Sequence, residues 1–189
     1  VGQAKADTAT TTIRLQIKTN DASLYDGNLD VTACADRATA STTSINVLCA
    51  LEQSGVANDW SWYGDLAFLN SIGSYVNNGD SNGIYWGWFE NLNYSDLALN
   101  QYVLKPGDKV LLAYNINPLK ISADNVTPDV NTVSTITLEQ FGLDSNWSPV
   151  WSSAASSTLI IAGQEVNNDS GVYEFTATTT APVLIHGKK

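Results

Sequence analysis

This chain contains no methionine, a single histidine and only two cysteines in 189 residues. The histidine, His186, stands three residues from the end of the sequence. A general base needs an oriented partner, and a lone terminal imidazole offers none. No Gly-x-Ser-x-Gly turn occurs, which removes the strained nucleophile of that hydrolase class. Neither cysteine has a histidine partner for thiolate chemistry, and no clustered set of His, Cys and carboxylate ligands suggests zinc. Asp59 and Glu90 are candidate carboxylates for a glycosidase pair, but nothing in their spacing brings them together. The expectation is a protein that is not an enzyme.

Positive charge is scarce as well. Nine Lys and Arg face nineteen Asp and Glu, for a net charge of −10. The basic residues are scattered, so no phosphate-neutralising patch forms and nucleic acid is not an expected partner. The same acidity disfavours anionic lipid surfaces. Unbroken apolar runs are short, far below the roughly 18 residues of a spanning helix, and no membrane insertion is expected. Charged residues make up only 15% of the chain, against roughly 25% in average soluble domains. Ser, Thr, Asn, Ala and Gly replace them, a composition common in exported β proteins. The first residue is Val1, and Ala4-Lys5-Ala6 resembles the small-residue tail of a signal peptide. A processed chain in an extracellular or cell-surface setting is expected. In that setting Cys34 and Cys49 would pair, closing a loop worth roughly 3 kcal/mol in the chain-entropy model. Two buried free thiols are the alternative.

What is present is mostly strand pattern. Residues 1–10, VGQAKADTAT, read as an extended tail. Ile13, Leu15 and Ile17 alternate with Arg14, Gln16 and Lys18, the mark of a half-buried strand. A turn is expected over 20–28, then a second strand over 29–34. Residues 44–54 are the one good helix candidate, with Ser44 as cap, Val47, Leu48 and Leu51 on one face, and Gly55 as terminator. Strands are expected at 60–63, 67–72 and 85–89. The Pro106-Gly107-Asp108 turn between two apolar runs predicts a hairpin over 101–114. After a break between Asn117-Pro118 and Thr127-Pro128, strands are expected at 133–143, 158–162, 172–177 and 183–186. The fold class is mainly β: an antiparallel α+β first domain with one short helix over 11–121, then a small immunoglobulin- or prealbumin-like sandwich over 122–189.

Two resemblances accompany this reading. The order of a Trp-rich strand YWGWFENLNY, a polar loop, and the segment QYVLKPGDKVLLAY resembles the family of the C-terminal cobalamin-contacting domain of transcobalamin and intrinsic factor, over residues 11–121. It implies a secreted, non-catalytic module. The closing segment VNNDSGVYEFTATTTAPVLIHGKK is similar to the end of a prealbumin-like or carboxypeptidase-regulatory-like sandwich. There Asp169-Ser170-Gly171 would lead into the aromatic strand of Tyr173 and Phe175.

Four features are functional candidates. Trp60 and Trp62 share one strand face, as do Trp86 and Trp88, and could stack on a corrinoid, a glycan or another flat ligand; the alternative is core packing. Asn78, Asp80 and Asn82 match the opening spacing of a Ca²⁺ loop, with a closing Glu one position late at Glu90; the alternative is a plain turn. Asn93, Asn125, Asn146 and Asn168 begin N-glycosylation triplets. Lastly, the leading segment holding Val1, Thr8, Thr10 and Thr12 could add as a strand to a neighbour's open sheet, or pack on its own domain. Repeated head to tail, such an addition makes a polymer. The leading expectation is a secreted structural subunit of a prokaryotic cell-surface or extracellular filament that self-associates without a required cofactor.

Overall fold

The computed structural model describes residues 9–35, 44–78, 83–155 and 157–188. They form fifteen strands and one helix, a mainly β fold, in two units, Val1–Ile116 and Asn117–Lys189.

The first unit is organised around β1 (Thr10–Thr19). Its odd residues Ile13, Leu15 and Ile17 are fully buried, as the alternation requires. β2 (Ser23–Thr32) pairs with β1 antiparallel from Thr10↔Thr32 to Lys18↔Ser23. The turn expected over 20–28 is therefore confined to 20–22. Thr19 closes it: its hydroxyl accepts the Ala22 amide at 2.9 Å and donates to Asp21 at 2.7 Å. Residues 23–28 continue the two-residue alternation and join the ladder instead. On the outer face Asp26 accepts hydrogen bonds from Arg14, Gln16 and Lys18. These partners, the Lys18 ammonium first, hold its carboxyl below the usual carboxylate range.

The expected 101–114 hairpin does not form. β8 (Lys109–Tyr114) pairs parallel with β1, from Arg14↔Lys109 to Thr19↔Tyr114, and antiparallel with β6 (Trp86–Glu90). β7 (Asn93–Tyr94) completes the sheet in the order β2-β1-β8-β6-β7. The Pro-Gly-Asp turn is real, but it hands the chain forward. Asp108 is buried; its carboxylate accepts the Lys105 amide at 2.8 Å, the Tyr102 hydroxyl at 3.2 Å and Asn91 Nδ2 at 3.1 Å. Gly107, at φ +86°, donates to Thr12 O at 2.9 Å, and Arg14 N donates to Asp108 O at 2.8 Å. The turn is thus tied to β1. Residues before it pair elsewhere: Val103 bridges to Asn46, and Leu104 N donates to Ile45 O at 2.8 Å.

That contact also shortens the helix. α1 spans Val47–Gln53, not 44–54, and its cap is Asn46, not Ser44. Buried Asn46 accepts the Cys49 amide at 3.0 Å and donates to Asn100 O at 3.2 Å, so both ends of its amide are used. Gly55, at φ +75°, follows the helix end as expected. β3 (Asn58–Tyr63), β4 (Leu66–Ile72) and β5 (Tyr75–Val76) form a second, antiparallel sheet. Trp60, Ala67, Leu69 and Ile72 bring it into the same core as β1 and α1.

The second unit begins earlier than the expected 121/122 boundary. β9 (Leu119–Ala123) straddles that point and pairs with β10 (Val133–Leu143), which places both strands in one sheet. β10 lies where the alternation placed it, with Ser134, Ile136 and Leu138 buried. Across its other side lie β11 (Pro149–Ser153) and β14 (Val172–Thr176). A second sheet has the order β13 (Gln164–Asn167), β12 (Thr158–Ile161), β15 (Ile185–Lys188). The two sheets form a β-sandwich over a core of Ile136, Leu138, Leu159, Ile161 and Tyr173. β11 and β13 escape the periodicity reading, because their residues are almost all exposed and carry no apolar period.

Two glycines allow close approach within this sandwich. A Cβ on Gly187 would stand 2.9 Å from Leu138 Cδ1 and 3.1 Å from Leu119 Cδ1. At Gly171, φ is +69°, and a Cβ would stand 2.6 Å from Ser153 Oγ and 2.8 Å from Leu138 O. Gly171→Ala therefore combines backbone strain with a backbone clash and should cost about 2–4 kcal/mol. Gly142→Ala, which meets nothing within 4 Å, should stay within about 0.5 kcal/mol of the parent. Urea denaturation of the two variants checks the contrast.

Candidate functional site

The tryptophans carry the ligand-platform expectation. Trp60 is buried and its indole N–H is shared between Glu52 at 2.9 Å and Asn58 at 2.6 Å. Trp88 is buried and donates to Leu97 O at 2.9 Å. Trp86 is half-buried, donates to Tyr75 O at 2.9 Å, and packs its ring against Tyr75 and Tyr114. Trp62 is half-buried, and its Nε1 is sealed from solvent with no partner among the described residues. All four belong to or pack on the core of the first unit. They do not form an outward stacking face; the shared strand faces are core faces, where large aromatic area contributes most.

Beside Trp60 and Trp62 lies a cavity of about 270 Å³, lined also by Cys34, Leu48 and Glu52. Its wall is the disulfide. Cys34, past the end of β2, is bonded to Cys49 within α1, with Cα atoms 5.4 Å apart. Gln53 repeats the connection: its side chain accepts the Thr32 amide at 3.0 Å and donates to Thr32 O at 2.8 Å. The disulfide fits an oxidising compartment. Above the neighbouring turn, burial, followed by Glu90 and Asp108, raises the Tyr102 phenol well above its ordinary value.

The Ca²⁺ expectation is only partly visible. Asn78 donates its backbone N–H to Ile84 O at 2.9 Å and forms an isolated bridge there. Asp80 and Asn82 lie outside the described residues. Among the described residues no group of three or more His, Cys, Asp or Glu could hold a metal ion, and no helix is long and apolar enough to cross a membrane. The four Asn residues that begin glycosylation triplets are all exposed.

The assembly residues divide. Val1 and Thr8 lie outside the described residues. Thr10 and Thr12 are strand residues of their own subunit, paired with Thr32 and Asp30, and the Thr12 hydroxyl donates to Asp30 at 2.6 Å. From Thr10 onward, one edge of the segment is therefore already occupied by β2 of the same subunit.

A different feature stands out in the second unit. β9 and β15 are both edge strands, one in each sheet. They touch where Gly187 lies on Leu119. Beyond that contact a groove of about 700 Å³ opens between β9 and the segment 177–185 that leads into β15. Ile121, Ala123, Ile136, Phe175, Val183 and Ile185 line it. Five of these are only partly buried, so they present apolar surface to the groove. Exposed apolar residues continue around its rim and beyond, with Val126 at 84% and Leu184 at 73% exposure. Trp147, 80% exposed, stands at the tip of the β10–β11 hairpin, past the other end of β10 from Ser134 and Ile136. Periodicity could not reveal the groove, since each lining residue looks like ordinary core in its own strand.

Comparison with protein-family models and with curated proteins finds no match for this chain.

Two measurements check the first-unit geometry. Cys34→Ala/Cys49→Ala should lower stability by about 3 kcal/mol in urea denaturation, and the parent should gain mass on reduction. Trp88→Phe leaves Leu97 O without its donor and should cost about 1–3 kcal/mol. Trp62→Phe removes an unpartnered N–H and should cost less than about 1 kcal/mol by the same assay.

Proposed function

We propose that this chain is a non-enzymatic structural subunit of a prokaryotic cell-surface or extracellular filament, assembled by β-strand addition between copies. The observation that carries the reading is the open edge of β9 beside an apolar groove in a sandwich, a groove that reaches the start of the second edge strand, β15, at Ile185. Strand edges offer a row of backbone donors and acceptors, and natural monomers usually cover or blunt them. Here the edges adjoin apolar side chains that strand addition would bury. The disulfide supports an extracellular setting. The scarcity of charge and the abundance of Ser, Thr and Asn suit an exposed, durable polymer. The transcobalamin-like and prealbumin-like resemblances remain proposals of the same kind, secreted modules without catalysis.

A second reading, a ligand-binding module, retains one favourable observation. Trp62 lines the cavity of which Cys34 forms part of the wall, and its partnerless N–H lies buried behind that wall, where a shift of the indole would bring it to an acceptor group of a corrinoid or glycan. Quenching of tryptophan fluorescence on titration with such ligands, lost in Trp62→Phe, would favour it.

Light scattering and negative-stain microscopy test the main reading. Multimers or filaments should form as concentration rises, and removal of residues 1–9 should leave a folded monomer. A protein that stays monomeric throughout, or multimers that survive the deletion, would refute it.

A further inference from the structure

Resting on the strand-addition reading, we infer that the groove between β9 and β15 is the acceptor, and that residues 1–9 of a second copy are the strand that fills it. The groove asks for an extended peptide. One side is the unpaired edge of β9 at Ile121–Ala123, so an occupant gains backbone hydrogen bonds there as well as apolar burial. Its floor, Ile136 and Phe175, is apolar.

The segment ahead of β1, VGQAKADTA, fits these terms. It has no proline, so each residue after the first can donate to a ladder. In a strand, Gly2, Ala4, Ala6 and Thr8 fall on one face. These are small enough to let the backbone itself enter the groove. Its two charges, Lys5 and Asp7, cancel. A chain of net charge −10 thus presents to its neighbour a segment of no net charge. Asp129 is the one charged residue among those described around the groove, and Lys5 complements it. Extended, nine residues reach roughly 30 Å, enough to leave one subunit and cross a groove on another. Their attachment point is fixed, because Thr10 onward is held in the β1 ladder.

The test uses the full chain, the chain lacking residues 1–9, a synthetic peptide of residues 1–9, and Ala181→Glu. Ala181 is exposed among the lining residues, so the substitution leaves the core intact while placing a bulkier, charged side chain where an inserted strand would have to cover and desolvate it. Hydrogen exchange on the truncated chain should show new protection in 119–123 and 185–188 when the peptide is added. Ala181→Glu should weaken peptide binding about tenfold or more, equivalent to about 1.4 kcal/mol, with an unchanged circular dichroism spectrum. Protection at β2, β7 or another edge, or none, overturns the groove assignment. Multimers that form equally well in full-length Ala181→Glu overturn it as well, while leaving strand addition standing elsewhere. If the peptide protects the groove but the full chain is protected there at every dilution as a monomer, the segment fills its own groove. The second-copy assignment then fails together with the filament reading.

Discussion

The two-sided ladder of β1 is the constraint on which the first unit depends. A strand inside a sheet must pair on both edges, since an unpaired buried N–H or C=O costs as much as a lost hydrogen bond. β1 meets that demand with β2 on one side and β8 on the other. The first partner is local and the second is distant in sequence, so the long intervening chain must leave the sheet and return. The excursion carries α1 and the β3-β4-β5 sheet, and their apolar faces close over Ile13, Leu15 and Ile17. Asp108 secures the return. Its carboxylate gathers Lys105, Tyr102 and Asn91, while its carbonyl accepts the Arg14 amide at the first residue of the parallel register.

Elements legible in the sequence obey the same demand for pairing and burial. β1 keeps one face apolar over Ile13, Leu15 and Ile17, and β10 buries Ser134, Ile136 and Leu138 on one face; a one-residue slip in either would turn these residues to the other face. β3 and β4 were legible for the same reason. The 101–114 segment was not, because a Pro-Gly-Asp turn between apolar runs states only that the chain changes direction. Whether the second run pairs with the first depends on which other edges are open. Here the open edge of β1 takes Lys109–Tyr114, and Asn46 takes Val103. The helix start failed similarly: Ser44 and Asn46 are both capping residues, and only the buried bond from Asn46 to Asn100 O decides between them.

The tryptophans show how a correct local reading can miss the site. Trp60 with Trp62, and Trp86 with Trp88, do share strand faces, but a strand with large aromatics on one face describes a core as well as a platform. The indole N–H groups decide. Those of Trp60, Trp86 and Trp88 are satisfied by Glu52 and Asn58, Tyr75 O and Leu97 O, as expected of rings folded inward. Trp62 departs from this pattern, and it does so beside a cavity. The acceptor groove was invisible for the opposite reason. Ile121, Phe175 and Ile185 read as core positions, and only the opening between β9 and the segment leading into β15 leaves them partly exposed.

Charge favours a strand as the means of association over a broad face. Two copies of a −10 chain repel wherever acidic faces meet, and at physiological ionic strength that repulsion is screened only beyond about 8 Å. A flat interface would press many such charges within that distance. An inserted strand confines the contact to backbone groups and apolar side chains, and the inserted segment carries one Lys against one Asp. Backbone bonds are also indifferent to side-chain identity, so a donor of small, unremarkable residues serves as well as a hydrophobic one once the groove supplies the apolar walls. Under the strand-addition proposal, specificity would reside in the open edge of β9 and the apolar groove beside it, and a segment such as VGQAKADTA would need only to be extended, uncharged overall and narrow.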